Sequence, residues 1–135
     1  EMLYKAGVPS GEGKVLLLGW SYKAEVGDPR ETPAEPLSEA LQNKNIAVAA
    51  YDPHLEVGDF PEGIEVVTEI DSAEGYDLAV LVTAHEACKE IDWASLASRM
   101  RNPILYDGRR VLDLDELELM GWQTHAVGKP KFNQT

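Results

Sequence analysis

The chain has 135 residues, the length of a single globular domain. Hydrophobic residues make up 44% of it, which is enough to build a core and argues against disorder. The 24 acidic residues outnumber the 12 basic ones, and a net charge of −12 disfavours binding to nucleic acid or to an anionic membrane. Cys88 is the single cysteine, which excludes an internal disulfide framework and a cysteine-rich zinc site.

Chain organisation follows from the distribution of apolar, glycine and proline residues. Residues 1–13 resemble a linker or the end of a preceding helix, residues 14–128 form one domain, and residues 129–135 are expected to be a flexible tail. Residues 1–13 favour the interpretation that the chain is a piece of a longer protein. An independent domain with a loose N-terminus is the alternative. No apolar run approaches 18 residues and no signal peptide opens the chain, so we expect a cytoplasmic protein.

Apolar runs separated by turn residues predict strands and helices in alternation. The expected strands are 14–19, 46–51, 64–67, 77–83, 104–107 and 122–128, and the expected helices are 33–44, 84–89, 92–100 and 113–120. Continuous apolar strands are typical of parallel sheets that are buried on both faces. We therefore predict an α/β fold: a three-layer, Rossmann-like, mostly parallel sheet of five to six strands with helices on both faces. Residues 77–83 should be central, and 64–67 and 122–128 should lie at or near its edges.

A long loop, from Trp20 to Glu31, joins the first strand to the first helix, which the capping sequence from Thr32 to Glu35 predicts. Loops in such units usually have about 2–6 residues. Open α/β sheets bind ligands at the carboxyl ends of their strands, where this loop begins. The loop therefore indicates a ligand site, and an ordinary long surface loop is the alternative.

The same segment carries a resemblance to a known family. The sequences LGWSYK at 18–23 and GDPRETPA at 27–34 are followed by AYDP at 50–53, DLAVLVT at 77–83 and YDGRR at 106–110. In this order they resemble the C-terminal, UDP-binding domain of the nucleotide-sugar 6-dehydrogenases, the UDP-glucose/GDP-mannose dehydrogenase family. The resemblance covers about residues 14–128, nearly the whole chain.

The resemblance implies roles for four residues. Tyr22 would lie beside the uracil, Lys23 would reach toward the sugar, and Arg109 would contact the substrate. Arg30 would reach NAD bound in a partner domain, with Asp28 orienting it. An aromatic ring beside cations suits a nucleotide diphosphate, because the base needs a flat apolar face and the phosphates need positive charge. The alternatives are a packed tyrosine, a solvated lysine and a surface ion pair of Arg30.

Other polar residues receive more ordinary expectations. Cys88 should be a small helix residue, because the family's catalytic cysteine, lysine and asparagine lie upstream of this chain. Asp52 is expected to form a turn rather than to bind a ribose, and His85 to cap a loop or to be solvated. The role of Arg110 stays open. Three scattered histidines do not predict a metal site.

The function implied by the resemblance is the UDP-sugar-binding part of an NAD-dependent UDP-sugar 6-dehydrogenase of polysaccharide biosynthesis, which oxidises a C6 alcohol to a carboxylate. NAD would be held mainly by an N-terminal domain, the isolated chain would bind without catalysing, and the full enzyme would be a homo-oligomer. The sugar stays open between UDP-glucose, UDP-N-acetylmannosamine and UDP-N-acetylglucosamine, and GDP-mannose is less favoured.

Two alternatives from other classes stay open. The first is a stand-alone nucleotide-binding or regulatory module. The second is a flavodoxin-like interaction or receiver domain, which Thr83 disfavours because a receiver needs an aspartate at the end of the central strand.

Overall fold

The computed structural model describes residues 13–126. Six strands form one sheet: β1 Lys14–Leu18, β2 Ala47–Tyr51, β3 Glu65–Val66, β4 Leu78–Leu81, β5 Ile104–Asp107 and β6 Gln123–Ala126. Four α-helices accompany them: α1 Ala34–Asn43, α2 Glu86–Lys89, α3 Trp93–Arg99 and α4 Leu114–Leu119. Two short 3-10 turns lie at Val57–Asp59 and Ile70–Ser72.

The central strands are apolar throughout because both of their faces are buried. In β1, Val15 and Leu17 enter the core on one side of the sheet, and Leu16 and Leu18 enter the core on the other side. The residues of β4 alternate in the same way between the two cores. Residues one apart on a strand point to opposite faces, so a continuous apolar run serves two layers of helices.

The helices divide between these two layers. α1 packs Ala34, Leu37 and Leu41 against the core that contains Val15 and Leu17. The residues that α2, α3 and α4 contribute to the opposite core include Cys88, Leu96 and Leu117. The three-layer arrangement predicted from the sequence is therefore present.

Short polar side chains fix where several helices begin. The Oγ1 atom of Thr32 accepts the backbone N–H of Ala34 at 3.1 Å. The helix begins at Ala34 rather than at the predicted Pro33, so Thr32 lies one residue further from the helix than predicted. Asp92 accepts the N–H of Ser95 at the start of α3, at 3.1 Å. Such caps satisfy backbone donors that a helix leaves without a partner in its first turn.

The strand order is β3-β2-β1-β4-β5-β6, and every pairing is parallel. The order reverses between β1 and β4, which are neighbours although two strands lie between them in sequence. Open α/β sheets bind ligands in the crevice above such a reversal, outside the carboxyl ends of the strands. The Rossmann-like fold class is confirmed, with six strands all parallel rather than mostly parallel. β4 is central and β3 and β6 are edges, as predicted.

Some expectations concern residues outside this description. Apart from Gly13, the predicted N-terminal linker and the predicted tail at 129–135 lie outside residues 13–126, and the domain boundaries stay predictions. Among the described residues, no helix has both the length and the apolar character needed to cross a bilayer.

Candidate functional site

The carboxyl ends of the strands line up at one edge of the sheet. Leu18 of β1 is in register with Leu81 of β4, which is in register with Asp107 of β5. The loops after these strands therefore begin side by side, with β1 and β5 separated by two strand spacings, or roughly 10 Å. The long loop after β1 lies over this edge, at the reversal of strand order.

The first part of the loop is anchored by a buried carboxylate at the end of β2. One oxygen of Asp52, Oδ2, accepts the backbone N–H groups of Trp20 and Ser21, at 2.8 and 2.7 Å, and the Ser21 hydroxyl at 2.8 Å. The other oxygen accepts the N–H of His54 at 2.9 Å, which forms the predicted turn. Burial raises the pKa of Asp52, but these hydrogen bonds outweigh burial and hold the pKa below its ordinary value. Asp52 is thus more than the turn-former expected from the sequence.

His85 connects this carboxylate to the far part of the loop. Its ring is fully buried, Nε2 lies 2.9 Å from Asp52 Oδ2, and Nδ1 accepts the backbone N–H of Glu25 at 2.8 Å. Because Nδ1 is an acceptor, the ring proton is assigned to Nε2, which donates to Asp52. Of the two expectations for His85, solvation is wrong because the ring is buried beneath the loop, whereas capping of a loop agrees with its bond to the Glu25 N–H.

A close backbone approach brings the β1 loop against the end of β4. Gly19 has φ +91°, and a Cβ atom on it would lie 2.5 Å from Cβ of Thr83. The hydroxyl of Thr83 donates to the backbone carbonyl of Ser21 at 2.7 Å. Glycine is required here by both its conformation and its lack of a side chain.

The second part of the loop forms a shallow hollow lined by Tyr22, Asp28, Arg30 and Glu31. The side chain of Tyr22 is 53% exposed, so its ring is available to a ligand. Arg30 makes two hydrogen bonds to Asp28, from Nε at 3.0 Å and from Nη2 at 3.1 Å. The hydrogen bonds from the side chain and the backbone N–H of Arg30 lower the pKa of Asp28. Arg30 is 83% exposed in this ion pair and can therefore exchange Asp28 for another anion.

Lys23 and Arg109 are both exposed at the same edge, but neither lines this hollow. Arg109 follows β5, where the buried carboxylate of Asp107 accepts four consecutive backbone N–H groups, from Arg109 to Leu112, at 2.7 to 2.9 Å. Gly108 lies against the end of β4, and a Cβ atom on it would be 2.8 Å from the Leu81 carbonyl oxygen. The loop that carries Arg109 is therefore as firmly held as the loop that carries Lys23.

Strained backbone is concentrated in these loops. Of the four non-glycine residues with positive φ among residues 13–126, three are Glu25, Glu31 and Arg110. Residues other than glycine rarely adopt this conformation, and such strain is often found where structure serves binding. Glu25 is held by its N–H bond to His85 and by its carboxylate, which accepts the N–H of Glu86 at 2.8 Å.

Cys88 lies in α2 and is fully buried in the core. Burial raises the pKa of its thiol to about 12. A neutral, inaccessible thiol is a poor nucleophile, in agreement with the expectation that Cys88 is a small helix residue.

Two of the histidines are not isolated, contrary to the expectation. The rings of His54 and His85 are 4.4 Å apart, and a ligand atom from each lies within 4.8 Å of a Glu25 carboxylate oxygen. These groups are already engaged, however, because Nδ1 of His85 accepts the Glu25 N–H and the Glu25 carboxylate accepts the Glu86 N–H. Two of the three groups are thus already hydrogen-bonded, and the His54 ring lies 3.5 Å from the same Glu25 carboxylate.

The β1 loop lacks the features of a principal binding site for a dinucleotide cofactor. Such sites place a short glycine-rich turn directly before a helix whose N-terminus receives the pyrophosphate. Here the loop has twelve residues and only Gly27 within it, and the acidic residues Glu31 and Glu35 flank the helix start. These residues would repel rather than receive a pyrophosphate.

Together, the strand order and the loops anchored above the carboxyl edge define a domain of the Rossmann-like class. The profile of the UDP-glucose/GDP-mannose dehydrogenase family, UDP binding domain, matches residues 16–114. The chain belongs to this family, and the resemblance inferred from the sequence is confirmed.

Individual relatives agree with this assignment. The chain is 33% identical over 112 residues to the UDP-N-acetyl-D-mannosamine dehydrogenase of Pyrococcus horikoshii, a match that covers 83% of this chain and 25% of the relative. It is 28% identical over 120 residues to the UDP-glucose 6-dehydrogenase of Rickettsia conorii, covering 84% of this chain and 28% of the relative.

A solved structure shares the fold. The NDP-N-acetyl-D-galactosaminuronic acid dehydrogenase of Methanosarcina mazei Go1 matches with a TM-score of 0.82 and 25% identity, covering 99% of this chain and 28% of that one. The chain thus spans about a quarter to three tenths of the length of these dehydrogenases.

Proposed function

We propose that this chain is the UDP-sugar-binding part of an NAD-dependent UDP-sugar 6-dehydrogenase, which oxidises the C6 alcohol of its substrate to a carboxylate. The observation that carries the proposal is the family match, together with the anchored loop that presents Tyr22 and Lys23 over the carboxyl edge. Relatives named as UDP-glucose 6-dehydrogenase and UDP-N-acetyl-D-mannosamine dehydrogenase support either of these sugars as the substrate.

The proposed roles follow the chemistry of the ligand. Tyr22 offers an exposed ring for the uracil, and Lys23 and Arg109 offer cations for the diphosphate and sugar oxygens. Tyr22 and Arg109 lie on the loops that follow β1 and β5, strands roughly 10 Å apart, and an extended ligand lying across the edge could contact both loops. Arg30, in its exchangeable ion pair, would turn from Asp28 to an anionic group of NAD.

The rest of the enzyme belongs to the same proposal. NAD is held mainly by an N-terminal domain, because the described residues lack a fitting pyrophosphate site. The isolated chain binds UDP-sugar without oxidising it, since its only cysteine is buried and neutral. The full enzyme is a cytoplasmic homo-oligomer in which the cleft closes between the two domains.

Calorimetric titration of the chain with UDP and with UDP-glucose, which adds the sugar oxygens, tests the site. We expect Lys23→Ala and Arg109→Ala each to weaken binding by about tenfold or more, because each removes a charge-assisted hydrogen bond. Lys44→Ala is the matched control: it removes the same charge as Lys23→Ala from an exposed residue at the opposite edge, after α1.

Equal affinity in the Lys23→Ala, Arg109→Ala and unaltered proteins would remove these residues from the site. A comparable loss in Lys44→Ala would show that only the overall charge of the chain matters. We expect neither result, because hydrogen bonds hold the loops that carry Lys23 and Arg109 at the carboxyl edge, whereas Lys44 lies at the opposite edge.

A further inference from the structure

Two anchors flank the exposed residues that the proposed function assigns to the ligand. On one side, Asp52 fixes the backbone of Trp20 and Ser21. On the other side, His85 fixes the backbone of Glu25. Only Tyr22, Lys23 and Ala24 lie between them, and all three are exposed.

The two anchors are parts of one buried unit. Nε2 of His85 lies 2.9 Å from Asp52 Oδ2, the same oxygen that accepts both loop N–H groups and the Ser21 hydroxyl. The side chains of both residues are wholly buried. Burying a carboxylate and an imidazole costs free energy unless both groups are fully hydrogen-bonded. Apart from the bond between the two side chains and the one from the His54 N–H, all hydrogen bonds of this unit are made with the loop.

The unit also holds a conformation that the loop would not adopt by itself. Glu25 has φ +63°, an unfavourable value for a residue with a side chain. Its N–H points to His85 Nδ1 in this conformation. The carboxylate of Glu25 also accepts the N–H of Glu86, at 2.8 Å, so the His85 acceptor is one of two contacts that hold this conformation and the only one of the two made by the Glu25 backbone.

We propose that Asp52 and His85 form a positioning pair, which does not touch the ligand but fixes residues 21–25 so that Tyr22 and Lys23 are presented to the nucleotide sugar. The proposal rests on the proposed function and extends it to two buried residues. Preorganisation of this kind raises affinity, because the loop does not lose conformational freedom when the ligand binds.

His85→Gln is the informative variant. A glutamine amide can donate to Asp52 from near the position of Nε2, but it leaves the N–H of Glu25 without an acceptor. His125→Gln is the matched control, because it makes the same substitution on the edge strand β6, three strands away from β1.

The test combines UDP calorimetry with amide hydrogen exchange of the 135-residue chain. We expect His85→Gln to weaken UDP binding about tenfold and to remove the exchange protection of the Glu25 amide. We expect His125→Gln to change neither. In the His85→Gln background, Lys23→Ala should cost much less affinity than in the unaltered chain, because a displaced Lys23 no longer reaches the ligand.

The outcomes separate the two proposals. If the unaltered chain does not bind UDP, the proposed function fails, and the positioning role for a nucleotide sugar fails with it. If His85→Gln lowers only thermal stability, with the UDP affinity and the Lys23→Ala effect unchanged, the pair is structural and the positioning role alone is overturned.

Discussion

Three buried carboxylates organise the polar groups of the described residues. Asp52 and Asp107 lie at the carboxyl edge and bond to the loops that carry Lys23 and Arg109. Asp77 lies at the opposite edge, where it accepts hydrogen bonds from Arg101, Asn102 and the backbone N–H of Lys14. Within residues 13–126, every buried side-chain polar atom has a hydrogen-bond partner.

Asp77 makes the stability of the protein depend on pH. Burial raises the pKa of its carboxyl, but the hydrogen bonds from Arg101, Lys14 and Asn102 outweigh burial and lower the pKa below the ordinary value of 3.8. A carboxyl whose pKa is lowered by folding stabilises the fold fully above that ordinary value. Its contribution is lost as the pH falls through the lowered pKa.

We therefore expect Asp77→Asn to lower the free energy of unfolding by about 1–3 kcal/mol at pH 7, with the half-exposed Arg101 favouring the lower end. The difference from the unaltered chain should begin to shrink below about pH 4, where the carboxyl of the unfolded chain binds a proton that the folded carboxyl, with its lowered pKa, does not yet bind. Urea unfolding at pH 7, 5 and 3.5 measures this, with the exposed Asp71→Asn as control. An equal loss at all three pH values would assign the effect to packing.

The roles of these residues were only partly predictable from the sequence. The turn at Asp52 follows from its position before Pro53. Its contacts with Ser21 and His85 span more than 30 residues, and no local pattern encodes them. A signal did exist: Asp52 and Thr83 both come at strand ends, and parallel strands bring such residues to the same edge.

At the scale of elements, the strands followed from the sequence and the loops did not. The apolar runs predicted all six strands to within about two residues at each end, the usual uncertainty of such bounds. The shapes of the loops depend on side chains from other strands. Asp107, for example, determines the course of residues 109–112 through four hydrogen bonds that no spacing in the sequence announces.

The loop after β5 offers a direct test of this dependence. Asp107→Asn replaces one carboxylate oxygen by an amide that cannot accept, so about two of the four N–H groups lose their acceptor. We expect faster amide exchange across residues 109–112 and a stability loss of about 1–3 kcal/mol.

Asp113→Asn is the control for this loop, since Asp113 accepts only the N–H of Glu116 at the start of α4. Because the asparagine oxygen can still accept that single N–H, Asp113→Asn should leave exchange unchanged both at α4 and at residues 109–112. Unchanged exchange at 109–112 in Asp107→Asn would contradict the role assigned to that carboxylate.

At the scale of the whole molecule, the site presents three exposed cations, interspersed with Glu25, Asp28 and Glu31, on an acidic protein. The net charge of −12 opposes the approach of a nucleotide diphosphate, whereas Lys23, Arg30 and Arg109 are all exposed at one edge of the sheet. The strand order places that edge at the reversal between β1 and β4. The family resemblance and the fold class were both accessible from the sequence, because five ordered motifs and six apolar runs agree on them.

The central claim is that the carboxyl edge of the sheet binds UDP. The most direct measurement is a titration of the isotopically labelled chain with UDP, followed through the backbone amide signals of every residue. We predict that the shifts concentrate in residues 19–31, 83–86 and 108–112, with Asp77 and Arg101 at the opposite edge unaffected. Shifts centred on the opposite edge, or no shifts at saturating UDP, would contradict the account.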